Sequence, residues 1–199
     1  ADVAQVRALY DEDILYQDAM FGELLDTLEA AGVLDRTLIV VVADHGDEFH
    51  EHGGWEHGTR LFEEQIRIPF LVRLPDSSAP EAKRFASPVS LADVPPTILG
   101  LYDIEPPPAI QGRDLSAAIL GGNAPTATSL YAEEATNIPG GDLRTLIDGT
   151  WKLIRRATTE VDDDATTYEL FDLESDPGET IDVGPQHAER LEEMRAEMH

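Results

Sequence analysis

The run Thr37-Leu38-Ile39-Val40-Val41-Val42-Ala43, followed at once by Asp44-His45-Gly46-Asp47-Glu48, places the tightest constraint on what this chain can fold into. A largely β-branched stretch with only Thr37 polar, at its first position, reads as a strand buried on both faces, as in the middle of a parallel sheet. In open α/β sheets ligands bind beyond the carboxyl ends of the strands, so Asp44 and His45 fall at the mouth of such a site. A carboxylate beside an imidazole is a metal-ligand pair.

The flanking segments extend the pattern. Across residues 2–31, Val3, Val6, Tyr10, Ile14, Phe21, Leu24, Leu25 and Leu28 recur at spacings of three, four and seven, the stripe of an amphipathic helix, and Gly32 supplies its stop. After the strand comes a polar loop holding Gly46, Gly53, Gly54 and Gly58, then a helical turn over residues 61–65 and a second strand over 68–73, with Pro69 tolerated near its start. Residues 75–84 read as a surface loop, and residues 90–101 as a helix that restarts in the 93–95 region, where proline is allowed. Residues 105–109 connect to a short helix at 114–120, ended by Gly121-Gly122.

Beyond residue 125 the character changes to short alternating segments at 129–133, 143–147, 151–155 and 168–173, with Asp148-Gly149 as a hairpin signal and the acidic run 160–164 as another hairpin tip. Residues 186–198 close the chain as a helix. The expected layout is an α/β unit over residues 1–124 and a small α+β unit over 125–199, an antiparallel sheet with one helix against it. Two buried parallel strands with one or two helices cannot cover both faces of a sheet. The first unit is therefore expected to be half of a larger domain, its N-terminal half supplied by polypeptide before Ala1 or by another chain.

Charge excludes one class of partner. The net charge of −26 is spread along the chain, with only Lys83 and Lys152 as lysines against twelve arginines, which argues against a phosphate backbone as partner. A dispersed acidic surface poor in lysine is suited to high salt, which screens self-repulsion, and suggests a halophilic source. With no cysteine, any metal must use oxygen and imidazole ligands, and no apolar run approaches the length of a membrane span.

Four of the six histidines, His45, His50, His52 and His57, lie within thirteen residues, interleaved with Asp44, Asp47, Glu48, Glu51 and Glu56. Oxygen-preferring divalent cations take carboxylates first, and an imidazole can complete the shell. His50 and His52 read as loop histidines. His57, in Trp55-Glu56-His57-Gly58-Thr59, either donates a proton to a leaving oxygen or serves to cap and pack. Glu63, Glu64 and Arg67 read as an ion pair at the rim, with Arg67 alternatively reaching a tetrahedral anion.

At these residues the chain resembles the sulfatase family of the alkaline phosphatase superfamily. The resemblance is carried by Tyr10-Asp11-Glu12-Asp13-Ile14 with Asp18, Thr37 to Val40 running into Asp44-His45-Gly46-Asp47-Glu48, Glu51-His52-Gly53 and His57-Gly58-Thr59. It continues through Leu61-Phe62-Glu63-Glu64, Arg67-Ile68-Pro69-Phe70, Pro95-Pro96-Thr97-Ile98-Leu99 and Gln111-Gly112-Arg113-Asp114-Leu115. Trp151-Lys152-Leu153-Ile154, Tyr168 to Leu173 and Asp176-Pro177-Gly178-Glu179 look like the family's closing sheet.

The resemblance implies the C-terminal part of an alkaline-phosphatase-like sandwich and a hydrolase of sulfate esters, small molecules or glycans, working at one divalent cation, most often calcium, with magnesium or manganese as alternatives. It implies Asp44 and His45 as metal ligands and His57 as the catalytic group where many members carry a lysine. The family's formylglycine lies in a Cys/Ser-x-Pro-x-Arg motif, preceded by an Asp-Asp ligand pair. Here Ser87-Pro88 lacks the arginine, so nucleophile and first ligand pair are expected upstream and the chain alone is expected to be inactive. The alternatives are a phosphodiesterase or phosphatase of the same superfamily, and a non-catalytic fragment.

Overall fold

A computed structural model describes residues 2–75, 81–126, 128–135, 142–157 and 166–198. The first helix, α1 (Val3–Ala30), starts at Asp2, whose carboxylate accepts the Ala4 N–H at 3.1 Å. Its apolar stripe forms as expected but is covered only towards its ends, where Val3, Val6, Leu25 and Leu28 are half-buried. No residue of α1 is buried, and Leu9, Ile14, Leu15, Tyr16 and Leu24 are exposed. The helix touches the rest of the chain near its start, where Arg7 pairs with Glu51 and the Tyr10 ring meets Phe49 edge-on at 5.0 Å.

The strand that follows corrects the expectation of a parallel sheet. β1 (Ile39–Val42) pairs antiparallel with β4 (Phe70–Arg73), Val42 opposite Phe70 and Ile39 opposite Arg73, in a two-stranded sheet. Nor is β1 buried on both faces, since Val41 and Val42 are exposed. An apolar run specifies a strand whose side chains favour cover on both faces but carries no information on the direction of its neighbour. Between these strands lie the short ribbon of β2 (Glu48–Phe49) and β3 (Trp55–Glu56), with Glu48 opposite Glu56, and the one-turn helix α2 (Glu63–Ile66).

A 3-10 turn (Leu91–Asp93) leads into α3 (Val94–Leu101), the two prolines sitting in its first turn, and α4 (Ser116–Ile119) follows. The restart read at 93–95 is this junction. Asp93 closes a capping box with Ser90 and anchors Arg113, whose backbone N–H and guanidinium both reach it at 2.7 Å.

The second unit is a four-stranded antiparallel meander of β5 (Leu130–Ala135), β6 (Asp142–Asp148), β7 (Trp151–Arg156) and β8 (Thr167–Asp172), in that order, closed by α5 (Ala188–Met198). At the hairpin, Asp148 pairs with Trp151, so the loop residues are Gly149 and Thr150, and only Gly149 has positive φ, +63°. This differs from a type I′ turn, which needs positive φ at both. The hairpin tip expected at 160–164 lies outside the described residues.

Alternation along the central strands decides which side meets what. Leu146, Leu153 and Leu170 stand on one face with Met194 and Met198 of α5, all buried. Ile154 and Phe171 stand on the other with Phe62, which precedes α2. Lys152, next to Leu153, therefore projects from the face turned toward the first unit. No helix among the described residues is long and apolar enough to cross a membrane.

Candidate functional site

Beyond β1 the chain turns into the histidine loop, and four backbone positions in it, His50, Gly53, Glu56 and Gly58, adopt positive φ of 64° to 82°. This winding returns His57 to His45, their ring centroids 3.8 Å apart with planes inclined by 32°. His57 Nδ1 lies 2.8 Å from Asp47 Oδ1. With Nδ1–H donated to that carboxylate, Nε2 is left as the nitrogen open to a ligand or a proton.

Asp47 was not singled out from the sequence as a site residue. It sits ten positions from His57, and neither helical nor strand periodicity joins residues across a loop. The ligand atoms of His45, Asp47 and His57 all lie within 4.8 Å of one another, forming a group able to hold a cation.

Asp44 stands outside that group. Its Oδ1 accepts the His45 N–H at 3.0 Å, its side chain is 89% exposed, and its Oδ2 is 3.8 Å from His45 Nε2. His45 Nδ1 faces the Gly46 carbonyl at 3.0 Å, which frees Nε2 toward Asp44 when Nδ1 carries the proton. Two donors about 2.4 Å from one cation are separated by about this much, so the pair fits a hard divalent ion that takes its other oxygens from elsewhere. The group with two imidazoles is a set that a softer ion such as zinc also accepts. The residues thus fit a divalent cation without selecting calcium.

Arg67 is exposed and lines the same cavity as Asp44, His45 and His57, but its guanidinium meets no acid among the described residues. The rim ion pair expected for Glu63, Glu64 and Arg67 does not form. Glu63 goes to Lys152 at 3.2 Å, and Glu64 lies 3.5 Å from His52 Nδ1. His50, stacked on Trp55 at 5.4 Å, and His52, stacked on Phe62 at 3.6 Å, are the loop histidines expected of them.

Beneath the loop lies a buried polar layer that joins it to the second unit. Lys152 and Glu179, both wholly buried, are 2.7 Å apart, and Glu179 Oε2 accepts the Glu63 N–H at 2.6 Å. Burial pushes the Glu179 carboxyl above its ordinary range against the pull of Lys152. His52 Nε2 lies 3.1 Å from the Gly178 carbonyl, and buried Glu48 accepts the His52 and Gly54 N–H groups at 2.9 and 2.6 Å. Sequence patterns did not disclose this layer, because Lys152 and Glu179 sit in segments that read as ordinary strand and turn.

Comparison with known proteins adds an independent line. The model of the sulfatase family matches residues 1–104. Arylsulfatase K of Xenopus laevis is 30% identical over 97% of this chain and 36% of its own length, and choline-sulfatase of Rhizobium meliloti (strain 1021) is 35% identical over 92% and 34%. The chain thus spans about a third of the length of these relatives. Among solved structures, BT4656 in complex with its substrate D-glucosamine-2-N,6-O-disulfate superposes with a TM-score of 0.78 at 26% identity, over 92% of this chain and 38% of that one. A phosphonate monoester hydrolase of Agrobacterium radiobacter shares the fold, with a TM-score of 0.81 at 21% identity, over 100% of this chain and 42% of that one.

Proposed function

This chain belongs to the sulfatase family, and on that premise we propose that it carries one half of the active site of a metal-dependent sulfuric ester hydrolase. The observation that carries the reading is the convergence of His45 and His57 at the end of β1, with Asp44 adjoining and Asp47 orienting the second ring. Asp44 and His45 would hold a divalent cation, calcium by family habit. When bound, such an ion neutralises charge on the sulfuryl oxygens.

This chain's own side chains would supply a proton donor and an anion contact. Asp47 holds the His57 ring in one orientation and leaves Nε2 as the nitrogen that would give a proton to the departing alcohol oxygen. Arg67, which meets no acid among the described residues and lines the same cavity, is positioned to meet an anionic ester. The substrate class is a sulfate ester of a small molecule or a glycan.

The site is completed by polypeptide that this chain does not contain, bearing the formylglycine and the other ligand pair. The share of the relatives' length that the chain spans supports this, as do the uncovered apolar side chains of α1 and β1. Residues 1–124 form the C-terminal part of the catalytic α/β domain and residues 125–199 the small closing subdomain. The net charge of −26 supports a salt-rich setting.

The test is release of sulfate from a chromogenic aryl sulfate by the full-length enzyme, with and without chelator. We expect turnover that chelation abolishes and that H57A and D44N each reduce at least about 100-fold. Turnover of phosphate mono- or diesters with no sulfate release would overturn the assignment. The 199-residue chain alone is expected to be inactive and to bind calcium more weakly than micromolar, since two donors leave most of the shell unfilled.

A further inference from the structure

Two loops must be held in register for His45 and His57 to face one another, and the ribbon between them does not do this unaided. The β2–β3 pairing ends at Glu48 and Glu56, before either Asp47 or His57 is reached. What lies against both loops is α2. The Gly46 N–H, next to His45, donates to the Gln65 backbone carbonyl at 2.8 Å. The Gly58 N–H, next to His57, donates to the Gln65 side-chain Oε1 at 3.2 Å.

The approach is close. A Cβ at Gly46 would stand 2.2 Å from the Glu64 carbonyl oxygen, so only glycine allows the loop to rest on α2. Gln65 itself is 4% exposed, which shields both contacts from competing water. The helix beneath is pinned from the other side by Glu179, which accepts the Glu63 N–H and is itself held by Lys152.

We propose that Gln65 is a positioning residue of this site, its main-chain and side-chain carbonyls tying the loops that bear His45 and His57 to one fixed helix turn. The second unit, through Glu179 and Lys152, fixes that turn in place. The inference rests on the proposed function only in treating the two histidines as parts of one site.

The test is made by NMR on the full-length enzyme, with readouts that need no catalysis. The readouts are the nuclear Overhauser contact between the His45 and His57 ring protons and the exchange rate of the Gly58 amide, with the amides of β6 and β7 as internal reference. Gln65→Met keeps the shape and removes the acceptor, Gln65→Asn withdraws the acceptor by one methylene, and Gln65→Glu keeps an oxygen in place.

Q65M and Q65N are expected to lose the ring contact and to speed Gly58 exchange about ten-fold or more, with β6 and β7 unchanged. Q65E is expected to retain the ring contact and slow exchange. Preservation of both readouts in Q65M and Q65N, or their loss in Q65E as well, would overturn the proposal. Absence of sulfate release by the full-length enzyme would count against the proposed function and leave this result standing.

Discussion

At the scale of the residue, the informative side chains are those whose partners fix a protonation state or an orientation. Asp93 is buried, and although burial raises its carboxyl, the Arg113 guanidinium and the Arg113 and Ser90 N–H groups outweigh this and hold it below the usual 3.8. The native state therefore binds this proton less readily than the unfolded chain. Its stabilisation is complete above pH 3.8 and is lost as the pH falls through the lowered native value. Asp93→Asn should cost about 2–4 kcal/mol at pH 7 in urea unfolding, with the gap to wild type narrowing below pH 3.8. In the site, Asp47→Asn in the full-length enzyme should lower kcat about 10- to 100-fold, because the His57 ring loses its charged orienting partner. An unchanged kcat for aryl sulfate would show that Asp47 has no part in the reaction.

At the scale of the element, the strands of the second unit act through their two faces. Leu153 is packed among Leu146, Leu170 and Met194, so Leu153→Ala should cost about 2–5 kcal/mol by the cavity it leaves. Gly149 at φ +63° makes the β6–β7 turn, and Gly149→Ala should cost about 1 kcal/mol. Both are read from urea midpoints. Most of these elements were legible in the sequence, since β7, β8, α3 and α5 follow periodicities that are local properties of the backbone. Residues of the candidate site were legible to different degrees. Asp44 and His45 adjoin at a strand end, whereas the contacts of Asp47 with His57 and of Gln65 with Gly46 and Gly58 depend on how a loop with four positive-φ positions is wound.

At the scale of the whole molecule, one buried cation joins the two units. Lys152 pairs with Glu63 and Glu179 on the sheet face opposite α5, and Lys152→Met would leave the buried Glu179 and the half-buried Glu63 without their counter-charge. A loss of about 3–5 kcal/mol is expected. That loss should shrink on acidification, because protonating Glu179 removes a charge that burial already disfavours. A urea series from pH 7 to pH 5 checks the sign. The net charge of −26 makes a further prediction: the urea midpoint should rise between 0.1 and 2 M KCl as self-repulsion is screened. A midpoint indifferent to salt would remove the argument for a salt-rich setting.

By itself the sequence determined the order of most elements, though not the β2–β3 ribbon within a stretch that reads as loop, the strand that leads into Asp44-His45, and the antiparallel sheet with its closing helix near the C-terminus, because each is written in side-chain periodicity or in adjacent residues. The tertiary structure alone decided that β1 runs antiparallel to β4, that Asp47 rather than Asp44 meets His57, and that Lys152 and Glu179 lie under the loop. The reason is physical. Periodicity records how a segment divides its faces between solvent and core, but pairing direction and loop convergence depend on backbone hydrogen bonds between segments distant in sequence, which every residue type can make.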